Sequence, residues 1–152
     1  MTYWRMQLHP NHREAAVRYT VESLAAGYIG LGFNTDPGDL TKLQKNEYSG
    51  GQQDYLRFAH EMEVGDPVLI ITHHFPFAVA EVEGEYNYIR NPVSDLGVWF
   101  RHFRAVTKVR YYGDHQTNSH ESERLTMTNT ISPLRDPDSK SYRLIREMCS
   151  AS

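Results

Sequence analysis

Apolar and polar residues alternate from Tyr3 to Leu8 (Tyr-Trp-Arg-Met-Gln-Leu), which predicts an opening strand. The period then changes. Asn11 stands three residues before Glu14, the spacing of a capping box, and predicts the start of a helix. Val17, Val21, Leu24 and Ala25 fall on one face of it, and Gly27 supplies its C-terminal cap. Tyr28 to Phe33 reads as a short apolar strand, and the turn-rich stretch from Asn34 to Lys45 as the loop that leaves it.

Residues 52–62 predict a second helix with Tyr55, Phe58, Ala59 and Met62 as its buried stripe. Gly65-Asp66-Pro67 turns the chain into Val68-Leu69-Ile70-Ile71, a continuous apolar run that fits a fully buried strand. Alternation resumes from Phe77 to Glu83 and again from about Arg101 to Tyr112. Residues 114–123 are polar without a period and read as a loop, and Ser139 to Cys149 as a terminal helix with Tyr142, Ile145 and Met148 inward. Strands outnumber helices and are interspersed with them. The expected fold class is α+β: a mixed, curved sheet or small barrel flanked by helices, in one domain over residues 1–152.

Composition narrows the class. The chain has 152 residues, 39% of them hydrophobic, enough for a real core without staples. The single cysteine, Cys149, excludes a disulfide framework and a cysteine-only zinc cage within one chain. No apolar run is long enough for a transmembrane helix and no basic-then-apolar leader stands at the start, so a cytoplasmic setting with no membrane partner is expected. Sixteen Lys and Arg stand against 19 Asp and Glu, a formal charge of -3. That balance excludes a broad, charge-driven grip on a polyanion, and leaves nucleic-acid binding only if positive charge is locally segregated.

Segregation is found at one place. Between Trp99 and Tyr112 lie Arg101, Arg104, Lys108 and Arg110 and no acid. A period of two puts His102, Arg104, Lys108 and Arg110 on one face, where they would hold flanking phosphates together with Arg101. The same pattern arises from a solvated strand face whose cations pair with the Glu81–Glu85 hairpin, and both readings stay open.

Catalytic constellations are absent from the sequence pattern. His73 and His74 are adjacent on an extended segment, so their rings point to opposite faces and do not share one metal. His9 and His12 are separated by Pro10 and a helix cap, and His115 and His120 lie in the polar loop without a third ligand. Cys149 lacks a nucleophile turn and reads as a packed helix residue. Gly30-Leu31-Gly32 does not complete a dinucleotide fingerprint, because position 35 is Thr. No catalytic residue, metal or cofactor is assigned.

What remains is an excess of aromatic residues at strand ends, among them Phe33 before Asn34, and Phe75 after His73 and His74. The order of pieces resembles the EVE and YTH-like branch of the PUA-like superfamily. Those pieces are Tyr3-Trp4-Arg5-Met6, Gly30-Leu31-Gly32-Phe33-Asn34, the helix running into Val64-Gly65-Asp66-Pro67-Val68-Leu69-Ile70, His73-His74, Phe77-Ala78-Val79-Ala80-Glu81-Val82, Arg104 to Val109 after Trp99, and Ile131-Ser132-Pro133-Leu134. The resemblance implies a pseudo-barrel of about five or six strands with packed helices. It also implies a pocket that takes one flipped, methylated or otherwise modified base, as in readers at the front of modification-dependent restriction proteins. By position, Trp4, Phe33, Asn34, His73, His74, Phe75 and Trp99 fall on or beside that pocket. Phe at position 33 and Tyr at 55 stand where the family often has Trp.

The expected function is therefore a nucleic-acid reader, with DNA ahead of RNA as partner and a partner domain or subunit to supply any enzymatic step. Two readings from other classes remain: a small-molecule-binding or hydrolytic enzyme using the same cavity through His73 or His74, and a protein-interaction module.

Overall fold

The computed structural model describes residues 1–8, 16–31, 37–44, 53–72, 75–91, 100–115 and 130–150. Within them the strands are β1 (Tyr3–Gln7), β2 (Tyr28–Leu31), β3 (Pro67–Thr72), β4 (Phe75–Val82), β5 (Asn87–Tyr88), β6 (His102–Tyr111) and β7 (Ile131–Leu134). The helices are α1 (Ala16–Ala26), α2 (Gln53–Leu56, running on as a π turn over Arg57–Glu61), the short α3 (Tyr112–His115) and α4 (Lys140–Ser150). The sheet runs β2-β6-β4-β3-β1-β7, with β5 paired onto β6, and curls into a half-barrel. The expected α+β class with a curved mixed sheet and flanking helices is what the chain adopts.

β3 lies mid-sheet, parallel to β1 and antiparallel to β4, and all six of its residues are buried. That explains its unbroken apolar run: both faces of the strand are covered. On the concave face Trp4, Met6, Ile29, Leu31, Val68, Ile70, Ala78, Ala80 and Val82 pack with Leu24 of α1 and with Tyr55, Phe58 and Met62 of the second helix. On the convex face Leu69, Ile71 and Val79 meet Leu144, Ile145 and Met148 of α4. Tyr3 stacks on Tyr142 at 4.5 Å, and Arg5 donates to the Ser141 hydroxyl at 3.2 Å, joining α4 to β1.

α1 departs from the apolar stripe expected of it. Thr20, Ser23 and Leu24 are buried, whereas Val17, Val21 and Ala25 are exposed. Gly27 explains the rotation. It caps the helix at a φ of +87°, and its carbonyl accepts from the Val106 amide at 2.8 Å, which docks the helix end on β6. The residues three, four and seven positions before Gly27 are then the ones turned to the sheet, and these are Leu24, Ser23 and Thr20. The hydroxyls of Thr20 and Ser23 are buried there without a hydrogen-bond partner. Each such orphan costs about 1–3 kcal/mol.

β6 also departs from a straight ladder. Its register against β4 shifts by one residue between Val79 and Glu81, opposite Lys108, which has a φ of +51°. Before this bulge His102, Arg104 and Val106 face the concave core; beyond it Val109 and Tyr111 do. A left-handed conformation suits neither lysine nor a β-branched residue. Lys108→Val, a gain in strand propensity on paper, is expected to lower stability by about 1–2 kcal/mol, and Lys108→Asn to stay within about 0.5 kcal/mol. Urea midpoints of the two variants check this, and a stabilising Val would mean a straight strand.

At the sheet edge the helix reaches across to β7. The Ile131 amide donates to Asp54 Oδ1 at 3.3 Å and its carbonyl accepts from Arg57 at 3.1 Å. Among the described residues no helix is long and apolar enough to cross a membrane.

Candidate functional site

The richest polar and aromatic assembly among the described residues lies where β2 ends and β6 begins. Leu31 pairs with His102 on one side of β6, and Tyr88 of β5 pairs with His102 on the other. The His102 side chain is fully buried. Its Nδ1 lies 2.6 Å from the Tyr86 hydroxyl, which also accepts from the Leu40 amide at 3.1 Å. The hydroxyl carries one proton and two lone pairs, so it accepts from the amide and still meets Nδ1 as donor or acceptor, according to the ring tautomer.

Three tyrosines, from α2, from β5 and from the residue just before β5, surround the imidazole. Tyr55 of α2 meets it edge-on with centroids 4.8 Å apart, Tyr88 is tilted at 5.1 Å, and Tyr86 lies near parallel at 5.9 Å. Phe58 abuts Tyr86 edge-on at 6.3 Å. Tyr86 and Tyr88 are half-buried, while Tyr55 is closed off from solvent. Aromatic groups in such offset and edge-on arrangements attract beyond their buried area, so the cluster is a preset wall.

A short 3-10 turn, Leu40–Lys42, closes the assembly. Asp39 caps it, accepting from the Thr41 amide at 3.0 Å and the Thr41 hydroxyl at 2.7 Å. The Thr41 hydroxyl and then its amide hold the Asp39 carboxyl below the ordinary carboxylate range, against slight desolvation and with smaller pulls from Lys42 and then His102. The sign follows: this cap is intact above the ordinary carboxylate pKa and is released only as pH falls through the lowered one. The Leu40 carbonyl lies 3.2 Å from His60 Nε2, so the turn is tied to the π turn as well as to Tyr86.

The cations expected on one face are dispersed. Arg104 is 1% exposed, and its guanidinium donates to three carbonyls: Gly84 at 3.0 Å, Phe58 at 3.1 Å and Met62 at 2.5 Å. It is an internal strut, and burial lowers its pKa below the ordinary guanidinium value. His102 faces the same core, and neither side chain is presented to a phosphate. Lys108 stands at the bulge and pairs with Glu81 at 3.3 Å. Arg110, past the bulge, turns to the opposite face, where its charge and a hydrogen bond act on Cys149 of α4. Cys149 is exposed rather than packed as expected, but partial desolvation of its thiol outweighs Arg110 and raises it, which makes it a poor nucleophile at neutral pH. Arg101 lies on the rim of the aromatic cluster, its Nε donating to the Arg90 carbonyl at 3.3 Å.

The expected pocket residues divide in the same way. Trp4 is 1% exposed at the start of β1, where its indole donates to Asp66 Oδ2 at 2.8 Å. That buried carboxylate also accepts from the Glu63 and Thr2 amides, so Trp4 is a core anchor rather than an open stacking face. With Tyr3, Tyr142, Glu61 and Arg135 it borders a separate cleft of about 340 Å³. Phe75 is 43% exposed, but it opens β4 near the Tyr111 end of β6, the end opposite His102. Phe33, Asn34, His73, His74 and Trp99 lie outside the described residues. Among the described residues no three His, Cys, Asp or Glu side chains group in a way that could hold a metal ion.

Tyr55, Tyr86, Tyr88 and His102 are the grouping that sequence reasoning missed. A signal existed: alternation places Tyr86 and Tyr88 on one side of a short strand just before a second strand that begins at His102. Residues 4–135, from β1 through β7, match the family described as a domain of unknown function (DUF8426). No curated protein matches the sequence at a significant level.

Proposed function

The chain belongs to that family, and we propose that it is a nucleic-acid reader that takes one flipped, methylated or otherwise modified base against the aromatic wall at the β2–β6 end. The observation that carries the reading is the His102 imidazole held by Tyr86 and ringed by Tyr55 and Tyr88. In the chain, that wall adjoins Phe33 and Asn34 just past β2, and Trp99 just before Phe100. Extruding a base costs a few kcal/mol, and stacking on aromatic faces returns about 1–3 kcal/mol per base. Half-buried Tyr86 and Tyr88 supply such faces, and Asn34 supplies hydrogen bonds for the base edge. No bond is made or broken, so the reading needs no catalytic group. Any enzymatic step belongs to a partner domain or subunit, in the cytoplasm, and DNA stands ahead of RNA as the substrate read.

The phosphate grip has to be small. With Arg104, Lys108 and Arg110 committed elsewhere, the cations at this end among the described residues are Arg101, exposed Arg90 and exposed Lys42. Two or three phosphate contacts give a slope of about -2 to -3 in a plot of log affinity against log salt, in keeping with a net charge of -3. The test is binding, followed by fluorescence anisotropy, to duplexes of one sequence carrying 5-methylcytosine, N6-methyladenine or no modification. Tyr88→Ala is expected to weaken the preferred duplex by about tenfold or more, and Arg101→Ala to reduce the salt slope by about one. Equal affinity for all three duplexes, with no effect of Tyr88→Ala, defeats the reading.

A further inference from the structure

We infer that the cleft between the end of β7 and the π turn binds a small zwitterion of the α-amino acid class, with an aromatic or large apolar side chain. The cleft lies at the β1–β7 margin of the sheet, whereas the aromatic wall lies on β5 and β6 beside β2. The inference therefore does not rest on the reader function. The cleft encloses about 340 Å³, room for about eleven water molecules and within the range of small-ligand sites.

Its walls are held in place by bonds already made. Asp66 fixes the β1 side, accepting from the Thr2 amide at 3.1 Å and the Trp4 indole at 2.8 Å. The same carboxylate accepts at 3.0 Å from the amide of Glu63, two residues past Glu61. Arg57, at the head of the π turn, donates to the Ile131 carbonyl at 3.1 Å. From that bond the helix and the strand advance together. Glu61 stands four residues on, about one turn, and Pro133 stands two residues on, about 7 Å along β7, and both line the cleft. The opposite wall is the stacked pair Tyr3 and Tyr142, centroids 4.5 Å apart. A cleft with every wall tied down is preorganised, so a ligand entering it orders little of the protein.

The chemistry fixes the ligand class. Glu61 and Arg135 both line the cleft and both are exposed. Their side chains make no hydrogen bond or ion pair, with each other or with any other group among the described residues. Pro133 adds a second acceptor. The Gln7 amide donates to the Thr130 carbonyl at 2.9 Å, so alternate residues from Thr130 turn their backbone to β1 and Pro133 turns its carbonyl outward. An ammonium has three N–H donors, which Glu61 and the Pro133 carbonyl can accept. A carboxylate accepts two parallel bonds from a guanidinium such as that of Arg135, and the Tyr3 ring and Leu134 offer apolar surface to a side chain. A plain anion is repelled by Glu61 and a plain cation by Arg135, so the pair selects against both. A ligand that carries both charges satisfies both residues.

The test is calorimetric titration of the full chain at low ionic strength, where exposed charges are least screened. The probes are L-phenylalanine, phenethylamine, 3-phenylpropionate and inorganic phosphate. Phenylalanine should bind with a Kd of about 0.1–1 mM, and the three singly functional probes about fivefold or more weaker. Glu61→Gln should abolish the preference for phenylalanine over 3-phenylpropionate and keep that over phenethylamine. Arg135→Met should do the reverse. Both side chains are exposed, so the thermal midpoints of the two variants should hold. Phenylalanine binding no tighter than the other probes, or not at all up to about 10 mM, overturns the inference. So do variants that leave phenylalanine binding unchanged or that weaken all the probes alike.

Discussion

Arg104→Met should remove at least about 3 kcal/mol of stability. The substitution keeps a long apolar stem but takes this donor from the buried carbonyls of Phe58 and Met62, at about 1–3 kcal/mol each, and from the half-buried carbonyl of Gly84 at less. Against the roughly 5–15 kcal/mol that holds an ordinary domain together, that is a large share. The three carbonyls come from three places: the π turn after Tyr55, the residue that ends that turn, and the bend just before Tyr86. Loss of the strut should therefore loosen the aromatic wall along with the fold. Urea unfolding followed by circular dichroism measures the change, and Arg104→Lys, which can reach only part of the set, should fall between. A variant of unchanged stability that binds nucleic acid poorly would return Arg104 to the role of a phosphate contact.

Gly30→Ala is the second large effect. A Cβ at position 30 would sit 2.5 Å from the His102 carbonyl oxygen and 2.6 Å from Phe100 Cβ. Neither is the free end of a flexible side chain, so β2 would have to part from β6 at the pair that frames the candidate site. About 3 kcal/mol is the expected loss, accompanied by disturbance of the His102–Tyr86 hydrogen bond. Gly84→Ala provides the control: its Cβ would meet Ala105 Cβ at 3.1 Å, a contact that a shift of a few tenths of an ångström relieves. Parallel denaturation of the two variants should show Gly30→Ala far more damaged. Equal stabilities would mean that β2 is not seated on β6 as described.

The sequence made the sheet legible and misled about orientation at two places. Strands such as β3 announce themselves because burial on both faces leaves only apolar residues. α4 shows its inner face by its period, and Ile145 and Met148 are buried as expected. α1 and β6 were harder for a shared reason. The helix is phased by a backbone hydrogen bond from Val106 to Gly27, and the strand by one residue in a left-handed conformation at Lys108. Neither constraint leaves a trace in hydrophobic periodicity. A period of two carried through position 108 places Arg104 and Arg110 together; with the bulge they lie on opposite faces. The aromatic wall was hidden for another reason: its members come from residues 55, 86, 88 and 102, joined by long-range strand pairing of β5 with β6 and by packing of α2 on the sheet.

The bonds from Asp54 and Arg57 to Ile131 also decide how this molecule can associate. In β7 the backbone groups that point away from β1 belong to Ile131 and Pro133. Those of Ile131 are taken by the helix, and Pro133 has no amide hydrogen to offer. Among the described residues an incoming strand would find no free amide donor on β7 and one outward carbonyl, that of Pro133, so lengthening of the sheet here by a peptide, a swapped segment or a second copy is disfavoured. Asp54, Arg57, Ile131 and Pro133 thus discourage growth into fibres from this side, and association across it would rest mainly on side-chain contacts.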